Sequence, residues 1–258
     1  MLPILPLTPA GTPARVVNSA WLEHGPFALW LVQALRPRLI VELGTHNGYS
    51  FCCFCEQMQK SKIGGRAIAV DTWRGDEHAG AYSDDVYKKL AAYVATNYAD
   101  FTELKRMYFS EALPSVADGS IDLLHVDGRH FYDDVVEDFT SWVPKLSDRA
   151  VVLFHDTQVR ERDFGVYKYW AELEAKYPTF EFHHGHGLGV LGFGSNIPPD
   201  VAALLALRKG SPAADDVRTA FADAGGAIAK NWKRANFIER AKDKLKLLVS
   251  SASAARKA

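Results

Sequence analysis

The sequence predicts an α/β fold: a mostly parallel sheet of seven strands, the last of them antiparallel, followed by a helical C-terminal appendage. Three observations lead there. β-type runs at 39–43, 67–70, 104–109, 121–126, 150–154, 180–182 and 188–193 alternate with helical stretches, as right-handed crossovers over a sheet covered on both faces require. The first run breaks into Gly44-Thr45-His46-Asn47-Gly48 and then into a helical stretch, so a strand's carboxyl end meets a helix start where backbone can lie against a ligand. Only residues 183–187 separate the last two runs, too few for a crossover, which turns the final strand antiparallel.

Composition narrows the function classes. The chain has 258 residues, enough for one sizeable core plus an appendage, and 30 Lys and Arg against 31 Asp and Glu give a net charge of -1. Nothing in that balance draws the chain to nucleic acid. The opening stretch to Val17 has scattered prolines without a basic region ahead of an apolar core, and no later apolar run is of membrane-spanning length, so a cytoplasmic protein is expected.

Residues 19–35 read as a helix that covers a sheet face or lids a ligand, with Trp21, Leu22, Phe27, Leu29, Trp30, Leu31 and Leu35 apolar. The glycine turn lacks the G-x-G-x-x-G spacing that seats a pyrophosphate, and Glu42 just before it suits a ligand bearing an amine. Arg38 to Ser50 resembles motif I of the class I S-adenosylmethionine (SAM) methyltransferases. That resemblance implies SAM as cofactor, with Glu42, Gly44, Thr45, Gly48 and Ser50 around it. Cys52, Cys53 and Cys55 all fall in the following helix, where packing explains them better than a metal or a disulfide framework.

Asp71 closes the second run, where a carboxylate can accept hydrogen bonds from ribose hydroxyls; a cap on the following segment is the plainer alternative. Ser110 and Glu111 leave the third run near where adenine would lie. The long loop from Thr72 to Tyr82 reads as part of a lid and acceptor site, with Trp73 to stack on a ring and Arg74, Asp76 and His78 for polar contacts, or as a mobile surface loop.

The runs at 121–126 and 150–154 deliver Asp127 and the pair His155-Asp156 to one sheet edge. Two carboxylates and an imidazole can hold a divalent cation and leave positions for water and substrate oxygens, or form a structural polar cluster. Between them 132–143 is an amphipathic helix whose acids Asp133, Asp134, Glu137 and Asp138 read as a solvated face.

The turn from Asp127 to His130, the run Trp142 to Leu146, His155-Asp156-Thr157 and the segment Asp163 to Tyr167 resemble a family of sugar and polysaccharide O-methyltransferases and related metal-dependent macrolide-sugar enzymes. The resemblance covers Arg38 to Gly194, which implies a methyltransferase domain over 1–194 and an extension over 195–258. It implies metal ligands at Asp127, His155 and Asp156, catalytic roles for Asp127 and His130, and His130 as base. His155 stands where the family carries an acid, a set that suits Mn²⁺ more readily than Mg²⁺.

Histidines 183, 184 and 186 form a hairpin turn read as solvated rather than as a second metal site. Beyond Gly194 three helices are expected, the last over 231–249 with an apolar stripe at Trp232, Ala235, Ile238, Ala241, Leu245 and Leu248. Its opposite face, with Lys233, Arg234, Arg240, Lys242, Lys244 and Lys246, suits peripheral membrane contact through anionic lipid, or the solvated side of a docked helix or of a homo-oligomer contact. The expected acceptor is a small molecule or glycan. A metal-dependent hydroxylase or hydrolase, or a non-catalytic docking module, are the alternatives.

Overall fold

The computed structural model describes the backbone of residues 5–78 and 80–255 and the side chains among these through residue 238. Strands β1 (Leu39–Leu43), β2 (Arg66–Asp71), β3 (Gly75–Asp76), β4 (Gly80–Ala81), β5 (Thr102–Arg106), β6 (Ile121–Val126), β7 (Leu146–His155), β8 (Thr179–Phe182) and β9 (Leu188–Gly192) include the seven of the main sheet, ordered β5-β2-β1-β6-β7-β9-β8. β5, β2, β1, β6 and β7 pair in parallel, and β9 lies antiparallel between β7 and β8.

The central strands alternate their apolar side chains between two cores, as a period of two dictates. Ile40, Ala67, Leu123 and Leu153 face helices α1 (Gly25–Leu35) and α2 (Tyr49–Lys60); Val41, Ile68, Leu124 and Phe154 face α5 (Tyr132–Trp142) and α6 (Val166–Glu174). The remaining helices are α3 (Asp84–Asn97), α4 (Phe109–Ala112), α7 (Pro199–Leu205) and α8 (Pro212–Ala255). The three cysteines are free and buried in the first core, as packing required.

Four local expectations are corrected. The third run ends at Arg106, and Phe109 opens α4, because Glu111 Oε2 accepts the Tyr108 amide at 2.8 Å and starts a helix there. The helix expected over 19–35 is a 3₁₀ turn, Ala20–His24, capped by Ser19 Oγ and continued by α1 with Pro26 in its first turn. Within the 72–82 loop β3 and β4 pair as a small antiparallel hairpin.

Past residue 211 one long helix replaces the two expected. Gly225 and Gly226 do not interrupt α8, because Gly225 is the point of closest approach to the 3₁₀ turn: a Cβ there would lie 1.9 Å from the Glu23 carbonyl oxygen. Val217 and Phe221 of α8 join the core beneath α1, with Trp232 packed at its edge. Phe237 is 75% exposed and Ile238 43%. The rest of the expected stripe and basic face, from Arg240 onward, lies outside the described side chains. Among the described residues no helix is long and apolar enough to cross a membrane.

Candidate functional site

The carboxyl ends of β1, β2, β6 and β7 open into one cavity of about 520 Å³, within the roughly 300–1,000 Å³ typical of small-molecule sites. It lies at the strand-order reversal beside β1, where open α/β sheets bind ligands. Gly44, Thr45, Ser50, Asp71, Asp76, His78, Ser110, Asp127, His130, His155 and Asp156 all line it.

Gly44 holds φ +86°, and a Cβ there would meet the Asp127 carbonyl oxygen at 1.9 Å, so the glycine lets the β1 and β6 ends close together. Gly44→Val should cost about 1–2 kcal/mol from the left-handed backbone alone, with further loss from the clash, and denaturant unfolding will show the midpoint falling. Gly48, φ +73°, packs on Leu90 rather than on the cavity.

Asp71 Oδ2 accepts the amides of Thr45 and His46, each at 2.9 Å, and Oδ1 accepts that of Trp73 at 2.6 Å. The carboxylate therefore organises the glycine turn and its own loop, with acceptor capacity on Oδ1 left for a ligand. Glu42, expected in the cofactor site, is instead fully buried behind the turn with Oε2 2.9 Å from His125 Nδ1. Trp73, expected to stack on an acceptor, is 1% exposed, packs on Tyr87 and donates its indole N–H to the His46 carbonyl at 2.9 Å. Arg74 is exposed and does not line the cavity, and Glu111 is spent on its helix start.

Four acid and imidazole side chains converge at the ends of β6 and β7. His130 Nε2 lies 3.0 Å from Asp156 Oδ2 and 3.8 Å from Asp127 Oδ1; His155 Nδ1 lies 3.2 Å from Asp127 Oδ1 and 3.4 Å from Asp156 Oδ2. The backbone of Asp156 is left-handed at φ +62°, a conformation uncommon for a non-glycine residue, and it turns the carboxylate in among the rings. The His130 ring stacks on Phe164, centroids 4.5 Å apart at 9°, and its carbonyl accepts the Gly165 amide at 2.7 Å. His78 sits edge-on to His130 at 5.3 Å and is fixed by the Arg162 carbonyl at 2.7 Å.

Burial opposes charge throughout this cluster, yet pairing wins. Burial lowers His130, but hydrogen bonds and charge from Asp127 and Asp156 raise it to about 9. His155 is likewise lowered by burial and driven well above the ordinary value by the charges of Asp156 and Asp127. Burial raises Asp127 and Asp156, but the charge of His155 and hydrogen bonds from the imidazoles hold both well below the usual carboxylate range.

The donor set fits a divalent cation. Asp127, His130 and Asp156 each offer a ligand atom within 4.8 Å of the others. His155 Nε2 lies 3.1 Å from the Gly185 carbonyl while Nδ1 faces the carboxylates, so without a cation the doubly protonated ring donates on both sides. A cation on the Nδ1 side would take the place of that proton, with Nε2–H still donating to the carbonyl as metal-bound histidines usually do. The close set contains His130, where the sequence pointed to His155.

Other contributors were not singled out from the sequence. Tyr82 stacks on His46 at 4.5 Å over the glycine turn. Asp134, Glu137, Asp138 and Ser141, at i, i+3, i+4 and i+7 on α5, border the cavity; Glu137 and Ser141 are exposed as a solvated face requires, whereas Asp134 and Asp138 are partly buried. The histidine turn, expected to be solvated, reaches inward: Gly185 O takes both His24 and His155, and His186 Nδ1 lies 3.3 Å from Asp156 Oδ1. Its glycine spacing gave the only available signal.

Residues 41–157 match the family model described as a methyltransferase domain. The chain is 55% identical over 187 residues to an uncharacterized protein of Sinorhizobium fredii, y4gI, covering 72% of this chain and 20% of that one. The chain thus spans about a fifth of the curated relative it matches. Solved structures of similar fold include the S-adenosylhomocysteine-bound methyltransferase PaMTH1 of Podospora anserina, with TM-score 0.52, 14% identity, and 69% and 88% of the two chains covered. A methyltransferase from Geobacter sulfurreducens aligns with TM-score 0.50, 17% identity, and 70% and 82% covered. The fold is the Rossmann-like methyltransferase fold, with seven strands, an antiparallel last strand in sequence and C-terminal helices.

Proposed function

We propose that this protein is a SAM-dependent O-methyltransferase that methylates a hydroxyl of a sugar or glycan with help from a divalent cation. One observation carries the reading: the glycine turn with Asp71 and the Asp127, His130, His155 and Asp156 cluster line a single cavity. The methyltransferase-domain match over 41–157 and the S-adenosylhomocysteine bound by a protein of the same fold support the cofactor.

The donor lies over the glycine turn, its ribose toward Asp71 and its base toward Ser110. Asp127, Asp156 and His155 would hold the cation, which when bound supplies charge that acidifies and orients an acceptor hydroxyl. His130 takes the hydroxyl proton at Nε2, its ring held by Phe164 and by its own backbone. The hydroxyl oxygen bonds to the donor methyl as the carbon–sulfur bond breaks, leaving S-adenosylhomocysteine. Orientation matters most, because nucleophile, carbon and sulfur must be nearly collinear. Asp76, His78 and Arg162 border the acceptor side, where polar groups beside the Phe164 ring suit a sugar.

Thermal unfolding tests the donor half. SAM and S-adenosylhomocysteine should raise the melting temperature in proportion to the logarithm of concentration, while NAD and FAD should not. Selective stabilisation by NAD would overturn the reading. Transfer of labelled methyl to saccharide fractions, with and without chelator, tests the acceptor half; label appearing only in protein or nucleic acid would reverse it.

A further inference from the structure

A second groove, of about 360 Å³, adjoins the cavity and is lined by Gln158, Val159, Arg160, Glu161, Arg162 and His186. Arg162 and His186 line both, so they form the wall between the two. That wall touches the acid and imidazole cluster: His186 Nδ1 lies 3.3 Å from Asp156 Oδ1, and the Arg162 carbonyl holds His78, which stands edge-on to His130. An acceptor that presents a hydroxyl to His130 and continues past this wall meets the groove.

The groove's loop is held in place. The Val159 amide donates to the Asp156 carbonyl at 3.1 Å and the Gln158 amide to the His186 carbonyl at 2.9 Å. Arg162 and Asp163 are successive left-handed non-glycine residues, φ +53° and +60°, an uncommon conformation that persists only where the surroundings impose it. The Arg160 guanidinium lies over the Tyr167 ring, 4.2 Å from its centroid, and donates from Nη1 to the Thr157 carbonyl at 2.8 Å, so one edge is fixed and the other is left for a ligand. The Arg162 guanidinium lies 5.2 Å from the Phe164 ring centroid and makes one long contact, 3.4 Å, to the His78 carbonyl. Among the described residues neither guanidinium pairs with a carboxylate, whereas Arg129 is taken by Glu77 at 3.1 Å and Asp134 at 3.4 Å. Glu161 is the one carboxylate on the groove, against two guanidinium groups.

We propose that the acceptor is an anionic saccharide, its carboxylate or phosphate held by Arg160 and Arg162 while a hydroxyl of the same molecule reaches His130. This rests on the sugar-acceptor reading above. A guanidinium presents paired N–H donors that match two oxygens of either anion, and a neutral sugar leaves that fork without its charge partner. The arginines also act on approach: the carboxylates of Asp127 and Asp156 repel an anion, and positive groups at the adjoining groove offset that repulsion.

The test is binding of three probes to the full chain, with and without S-adenosylhomocysteine: methyl glucoside, methyl glucuronide and glucose 1-phosphate. At least one of the two anions should bind about 5- to 10-fold more tightly than the neutral glycoside, the scale of two exposed ion pairs. The gap should narrow as salt is raised, and which anion shows it identifies the charged group as carboxylate or phosphate. Arg160→Gln combined with Arg162→Gln should bring the anions to the level of the neutral glycoside. Arg160→Lys should keep part of the gap, because the charge stays and the fork is lost. Equal binding of all three probes by wild type, or a gap that the double variant retains, overturns the proposal. A gap abolished by chelation overturns it too, since the anion then sits on the cation. Failure to bind S-adenosylhomocysteine would sink the donor reading instead, and the saccharide series measured without it is read separately.

Discussion

Asp127→Ala is expected to lower methyl transfer by about 10³-fold while leaving S-adenosylhomocysteine affinity within a few-fold of wild type. Asp127 follows β6 and its amide continues the sheet ladder onto the Leu43 carbonyl at 2.9 Å, so the backbone keeps its place after truncation. The side chain, however, faces both His130 and His155 and is one of three ligand atoms within 4.8 Å. Losing it removes a charge whose contribution to a developing oxyanion through a bound cation is several kcal/mol, which sets the thousandfold scale. The donor end is spared because Gly44 needs only the carbonyl side of residue 127 close by.

Titration of Mn²⁺ or Mg²⁺ followed by single-turnover transfer separates the two effects. Weaker cation binding with parallel loss of turnover supports the assignment. Full turnover by wild type after exhaustive chelation would instead leave Asp127 acting through the imidazoles alone.

The architecture was legible because the runs at 39–43, 67–70 and 188–193 are bounded on both sides by glycine or a charged residue. The antiparallel last strand followed from the arithmetic of residues 183–187. Convergence of Asp127, His130, His155 and Asp156 was equally legible, since parallel neighbours β6 and β7 must end at the same edge. What could not be read was the direction of single side chains. Glu42 and Trp73 have the residue types of a binding site, yet Glu42 lies on the inner side of β1, and Trp73 is drawn under the turn by its bond to the His46 carbonyl.

Asp138 on the polar stripe of α5, partly buried beside exposed Asp133 and Glu137, was not distinguished for a related reason. A helical period reports which face is apolar, but not whether the opposite face meets bulk water or a cavity, so Asp138 looked like an ordinary solvated acid. Glycines 225 and 226 misled in the other direction. Low helix propensity normally argues for an end, but close packing against Glu23 overrides it once the tertiary structure is in place.

His130→Gln should retain donor and cation binding but lower turnover by roughly 10²–10⁴-fold, the usual range for a positioned acid or base. The pH dependence gives a second reading of the same residue. Its folded value, about 9, is above the ordinary 6.5, so its stabilising contribution is complete below pH about 6.5 and is lost as pH rises through about 9. The carboxylates act in the opposite sense: Asp127 and Asp156 are depressed, so their contribution is present above the ordinary carboxylate range and lost only in acid. Thermal stability of wild type without cation should therefore fall above pH about 9, and His130→Gln should flatten that alkaline decline. Catalysis needs the neutral ring, so the rate without cation should rise toward pH 9, whereas a cation on Asp127 and Asp156 should compete with the imidazole proton and move the rise to lower pH. A variant that loses cation affinity along with turnover would show His130 to be a ligand in place of His155, as the 4.8 Å set allows; one that keeps full turnover would remove it from proton transfer.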